Sequence, residues 1–203
     1  MSLNDVLSYF SLTRTPARIS LRENERQQLL KFLELNLSHK DMLVGHHASY
    51  PSNPELSDFR FISINGAEVI SANSFYQQLH FLLNHRNVSA AAALATLENF
   101  FAKPQSSKRK TIVLVDETDY LMTLDDGIVY NLLNWFSSRG FVLLLIANSL
   151  SDNSTLYPRI QSRLGPHRIR FVDYTKAELK SIIIDRFRSA GVDDYTVLFD
   201  EKH

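Results

Sequence analysis

The sequence predicts an α/β domain: a parallel sheet with helices on both faces. Three observations carry that expectation. Residues 111–116 (TIVLVD) and 141–147 (FVLLLIA) are apolar without alternation, as strands buried on both faces are. Stretches of helical periodicity separate the strand candidates, the order that produces crossover connections. Two adjacent acids, Asp116 and Glu117, directly end the first run, at the sheet edge where doubly wound proteins bind ligands.

The length, 203 residues, suits one domain or one domain with the start of a second. Hydrophobic residues make up 44%, enough for a sizeable core. The 22 Lys and Arg balance 22 Asp and Glu, so the chain is neither polybasic nor acidic overall. With no cysteine, disulfides, thiolate metal sites and cysteine nucleophiles are excluded. The first twenty residues lack a basic-then-apolar leader pattern. No apolar run approaches the roughly 20 residues of a membrane span. The expectation is a soluble intracellular chain with no membrane partner.

Taken in order, residues 1–20 read as an extended arm, broken by Pro16. An amphipathic helix is predicted over 22–37 from Leu29, Leu30, Phe32, Leu33 and Leu37. Residues 42–45 are a short strand candidate. Pro51 and Pro54 make 48–58 a loop. Residues 60–64 alternate as a strand and stop at the turn pair Asn65-Gly66. Helices follow at 73–85 and at 90–102, the second behind Ser89 as N-cap. The polar stretch 103–110 (KPQSSKRK) is a loop before the 111–116 strand. A helix at 127–137, the strand 141–147, a short helix near 154–163 and a fifth strand at 168–172 complete the sheet. The last helix, 175–190, has a capping box in Thr175 and Glu178, an apolar stripe of Leu179, Ile182, Ile183 and Phe187, and Gly191 to end it.

The chemistry lies at Asp116 and Glu117. One carboxylate at a strand end can hold Mg²⁺ through its water shell. A second, adjacent one can orient a water for attack on a phosphoryl group. The competing account is that both acids simply cap the next turn. Asn148, ending the next strand, offers an amide at the same edge, though such an Asn is also a common turn former.

Residues 111–171 resemble the AAA+ domain of the largest subunits of the eukaryotic origin recognition complex and the related cell-division-cycle loaders. The resemblance rests on strand–Asp116–Glu117–x–Asp119, then Tyr130-Asn131 and Asn134-Trp135, then Ile146-Ala147-Asn148, then Ser162-Arg163-Leu164-Gly165. Leu21 to Glu25 and the stretch from Phe61 to Gly66 extend it, so that it covers about residues 20–190. It implies a five-stranded sheet in the order 5-1-4-3-2, with an arm at 1–20, a base domain at 21–173 and the start of a helical lid at 174–203. It further implies that Asp116 and Glu117 are the Walker B pair, Asn148 is sensor one and Arg163 stands at a subunit interface. For Arg163 a surface salt bridge is the plain alternative.

The chain departs from that family where the phosphate loop belongs. A Gly-rich loop with Lys and Ser/Thr supplies the N–H groups and cation that cradle phosphates. Between His46 and Asp58 there is no Gly or Lys. A parallel crossover needs about a dozen residues or more, usually a helix. The Walker A segment is therefore read as absent, with no cofactor expected and no ATPase activity as the chain stands. ATP and Mg²⁺ enter only if a phosphate loop exists in the full protein, and Asp116 is a metal ligand only in that case.

His46-His47 has no evident third ligand, and His80 and His85 are poorly spaced to share one face of a helix. Residues 61–85, matching the region with which this family grips duplex DNA, contain no Lys or Arg. The segment 156–190 carries eight Lys and Arg against three Asp and Glu. With Lys108, Arg109 and Lys110 it is the only basic surface expected to meet nucleic acid phosphates; a solvated face is the simpler account of both. The function expected is that of an origin-recognition-type, nuclear AAA+ domain with a degenerate nucleotide site. It would assemble with other origin recognition or AAA+ subunits and hold duplex DNA or chromatin weakly when alone. A silencing, heterochromatin-scaffold paralogue and an active ATPase stay open as alternatives.

Overall fold

The computed structural model describes residues 21–37, 59–103, 110–136, 140–148, 158–164 and 168–191. The expected arm, the strand candidate at 42–45 and residues 104–109 lie outside them. The chain divides into two compact units, one of residues 1–30 with 169–203, the other of residues 31–168.

The larger unit holds the sheet. Three parallel strands, β1 (Phe59–Asn65), β2 (Lys110–Asp116) and β3 (Phe141–Leu145), lie in the order β1-β2-β3. This is the 2-3-4 part of the expected five-strand order. β2 is central, and Ile112, Val113 and Val115 on its two faces are all buried, which is why the run is apolar without alternation. β1 alternates because one face is less covered: Ile62 and Ile64 are buried, whereas Phe61 is exposed.

Residues 168–172 do not form the expected fifth strand. Within the smaller unit the carbonyl of Val172 instead accepts from Arg22 Nη2 at 2.5 Å, and the Arg22 guanidinium lies over Phe171 (5.6 Å) and Tyr174 (3.9 Å). The Val172 carbonyl is thus bonded to a cation rather than to a neighbouring strand.

Helix α1 (Glu23–Leu37) comes first among the described residues, and its Phe32, Leu33 and Leu37 pack with Phe59, Ile112, Val142 and Leu144 on one sheet face. The other face carries the main core. α2 (Ala72–Asn84) supplies Phe75, Tyr76, Leu79 and Leu83, and α3 (Ala90–Phe101) supplies Ala93, Leu97 and Phe101. Burial of each large apolar side chain is worth about 1.5–3 kcal/mol. α2 starts in a capping box between Ser71 and Ser74, whereas Ser89 takes the N-cap position of α3 with no side-chain cap bond.

One helix is not foreseen in the sequence: α4 (Thr118–Leu124), too short to show a period. α5 (Asp126–Trp135) follows, with the Asp125 carboxylate accepting from Gly127 N–H at 2.8 Å. Trp135 is buried and stacks on Phe101, rings 7° from parallel, as expected of a packing residue. α6 is Pro158–Leu164. In the smaller unit, α7 (Lys176–Ser189) carries the expected capping box of Thr175 and Glu178, and Gly191 follows at φ 72°. Of its apolar stripe, Ile182, Ile183 and Phe187 are half-buried and Leu179 is exposed. Among the described residues no helix is long and apolar enough to cross a membrane.

Candidate functional site

The backbone at the carboxyl end of β2 sets the site. Asp116 is the last residue of the strand, and its Oδ1 accepts the N–H of Glu117 at 2.9 Å. Glu117 occupies the left-handed region (φ 50°, ψ 44°), uncommon for a residue with a side chain. The turn reverses the chain so that α4 can start at once. Thr118, fully buried, fixes it: its Oγ1 donates to the Val115 carbonyl at 3.0 Å and its N–H to the Ile146 carbonyl at 2.9 Å. Ile146 N–H in turn donates to Val115 O at 2.9 Å. The exits of β2 and β3 are therefore tied together, and Asn148 is delivered two residues later. Its Nδ2 lies 3.2 Å from Glu117 Oε2 and 3.4 Å from Oε1.

β1 contributes from the other side. Asn65 is in register with Asp116, and Gly66 opens the single 3₁₀ turn beyond it. A Cβ on Gly66 would stand 2.6 Å from the Glu117 carbonyl oxygen and 2.9 Å from that of Asp116. Only a bare Cα fits there. Gly66 and Thr118 are the supporting residues that sequence reasoning missed. Their signals were an Asn-Gly pair ending one strand and a threonine after the acids.

Asp116, Glu117 and Asn148 are thus brought together, as the sequence suggested. Two hard carboxylates and an amide suit the Mg²⁺ and water side of a nucleotide site. Among the described residues no group of three or more His, Cys, Asp or Glu gathers to hold a metal. Residues 38–58, where a phosphate cradle would have to lie, are outside the described residues.

Arg163 stands elsewhere, near the end of α6. Its guanidinium lies 4.5 Å from the centroid of the Tyr130 ring and donates to the Tyr130 hydroxyl at 3.2 Å. The half-buried Tyr130 therefore supports a cation as well as the core. Lys108 and Arg109 lie outside the described residues. Lys110 Nζ donates to the Asn36 carbonyl in the last turn of α1, where a cation meets the negative end of the helix. Burial holds its ammonium below the usual lysine range. His80 Nδ1 lies 3.0 Å from the Arg86 carbonyl oxygen, and His85 Nε2 lies 2.9 Å from Arg60 Nη2. Arg60 also donates to the carbonyls of Leu82 and Leu83 (2.8 Å for the latter), closing the end of α2.

The fold that presents two acids at the end of a central parallel strand and an amide at the end of the next is shared with solved origin recognition and Cdc6 proteins. Solved structures share the fold. The Drosophila origin recognition complex bound to DNA matches 89% of this chain and 49% of its own with a TM-score of 0.65 at 24% identity. Cdc6p from Pyrobaculum aerophilum matches 90% and 53% with a TM-score of 0.66 at 20% identity.

In sequence the chain is a relative of origin recognition complex subunit 1. It is 35% identical to that protein of Debaryomyces hansenii over 135 residues, 65% of this chain. It is 35% identical to the Schizosaccharomyces pombe protein over 144 residues and 33% identical to that of Bos taurus over 137. The matched part is 16% of the Debaryomyces protein and 20% of the Schizosaccharomyces one, so the chain spans a fifth or less of these relatives. No family model matches the chain.

Proposed function

We propose that this domain is an assembly unit in replication initiation. It joins sister origin recognition or other AAA+ subunits in the nucleus, on duplex DNA or chromatin, without hydrolysing ATP itself. The observation that carries the proposal is the Asp116–Glu117–Asn148 edge within a chain related to origin recognition complex subunit 1. The degenerate nucleotide site is supported by residues 46–58, which contain neither Gly nor Lys. Without a cradle the two acids have no positioned phosphate to act on, and their roles reduce to shaping the turn and anchoring Asn148.

In this reading the interface lies on the Arg163 side. A guanidinium held over a tyrosine ring and bonded to its hydroxyl is restrained for the recognition of a neighbour's phosphate or carboxylate. The DNA contribution comes from Lys108 and Arg109 and from the basic segment 156–190, through phosphate contacts.

The test is reconstitution. The chain is mixed with purified sister origin recognition subunits and duplex DNA, and complexes are resolved by size and composition. Stoichiometric incorporation supports the proposal. Exclusion from the complex, together with binding to nucleosomes, would assign the domain to chromatin silencing instead.

A further inference from the structure

We infer a second site, separate from the sheet edge: a phosphate-class oxyanion site in the cleft between α2 and α3. The cleft is open to solvent, has a volume of about 620 Å³ and is lined by His80, Asn84, Arg86, Asn99 and Lys103 among others, with no carboxylate among the described lining residues. Two fixed positive charges therefore face a space rimmed by amides able to donate hydrogen bonds. The anchor is His80, only 4% exposed. A carbonyl oxygen only accepts, so the Nδ1 that lies 3.0 Å from the Arg86 carbonyl carries a proton. That bond fixes the ring, which lines the cleft. The same bond holds the backbone of Arg86, and Gln77 Nε2 holds the loop further on through the Val88 carbonyl at 2.9 Å. The loop that bears Arg86 is thus tied down before any ligand arrives.

Both cations line the cleft. Arg86 leaves the end of α2 and Lys103 follows the end of α3. A planar guanidinium and a point-charge ammonium lining one cleft suit a tetrahedral oxyanion, the first through a two-pronged bond and the second through charge. Arg60, near the start of β1, is not part of the site because its guanidinium closes the end of α2.

The test follows the His80 ring signals of the full chain by NMR during titration with inorganic pyrophosphate at constant ionic strength. The inference expects a saturable shift. The double variant R86Q/K103Q should weaken pyrophosphate by about tenfold or more, the loss expected for two charge-assisted contacts, with an unchanged melting temperature. A shift that never saturates, or the same affinity in the double variant, would overturn it. Adding a short DNA duplex to the pyrophosphate-saturated protein then identifies the source. Displacement assigns the site to nucleic acid phosphates, and retention assigns it to a small phosphate compound.

Discussion

The Asn148 carboxamide reaches both oxygens of the Glu117 carboxylate, at 3.2 and 3.4 Å. The pairing turns the second acid of the strand end toward the next strand. In a working phosphoryl-transfer site that carboxylate would be directed at a water instead. On the proposed function nothing competes with Asn148 for it. Calorimetry with Mg·ATP should therefore show no tight binding, and Glu117→Gln should assemble with partners as wild type does. A dissociation constant in the low micromolar range would sink this expectation.

Gly66 offers a sharper structural test. Any Cβ there meets two backbone carbonyl oxygens, which cannot swing away as a side chain would. Gly66→Ala should cost about 1–3 kcal/mol, as overpacking does, measured by denaturant unfolding. Gly127→Ala is the control, since its nearest neighbours are the side-chain atoms of Asp125. Equal, small effects at both positions would mean that the strand ends are not in close contact.

The smaller unit has its own pH dependence. The Thr175 hydroxyl and backbone N–H hold the Glu178 carboxyl below the usual carboxylate range. The Glu25 carboxyl is lowered as well, by a backbone hydrogen bond first and by Arg22 second. For acids with depressed values the stabilisation is present above the unfolded value, about 4.3. It is lost as pH falls through the folded one. Helix content should therefore drop on acidification below about pH 4, and Thr175→Ala should blunt the drop. Circular dichroism across that range checks it, and an unchanged acid profile in Thr175→Ala would remove the capping box as its cause.

How much of this was legible in the sequence depends on what kind of signal a residue leaves. β2 was plain because a strand buried on both faces has to be apolar throughout, and its acids stood out by contrast. Thr175 and Glu178 were plain because a capping box is local. α4 was not, because seven residues show no period and its start depends on Glu117 adopting a left-handed conformation. The alternation at 168–172 looked like a strand, but what bonds the Val172 carbonyl is Arg22, 150 residues away. Counting cations over 61–85 likewise stopped one residue short of Arg86, whose place in a cleft only the packing of α2 and α3 reveals.

Arg163 should behave as an interface residue. Its stacking on Tyr130 is exposed and worth about 0.5–1 kcal/mol, so Arg163→Ala should change the melting temperature little. In a reconstituted complex the same variant should slow a neighbour's ATP hydrolysis. Early melting with the neighbour's hydrolysis intact would make Arg163 structural.

Binding of duplex DNA by the isolated chain should be weak, indifferent to sequence and steeply salt-dependent, as counterion release dictates. Lys108 and Arg109 should be neutralised together and Lys110 left alone, because Lys110 is bonded to the Asn36 carbonyl. The pair variant should bind every duplex less tightly and with a flatter salt slope. Salt-resistant preference for one duplex would reveal a base-reading element.

The bare Cα of Gly66 has a mechanical corollary. The exits of β1 and β2 touch with no side chain between them, so neither can slide without pushing the other. α2 begins only six residues beyond Gly66, and the Asp116–Glu117 turn is the far side of that contact. A partner that levers α2 would shift the acids through rigid backbone, like meshed teeth. Such gearing needs no bound nucleotide.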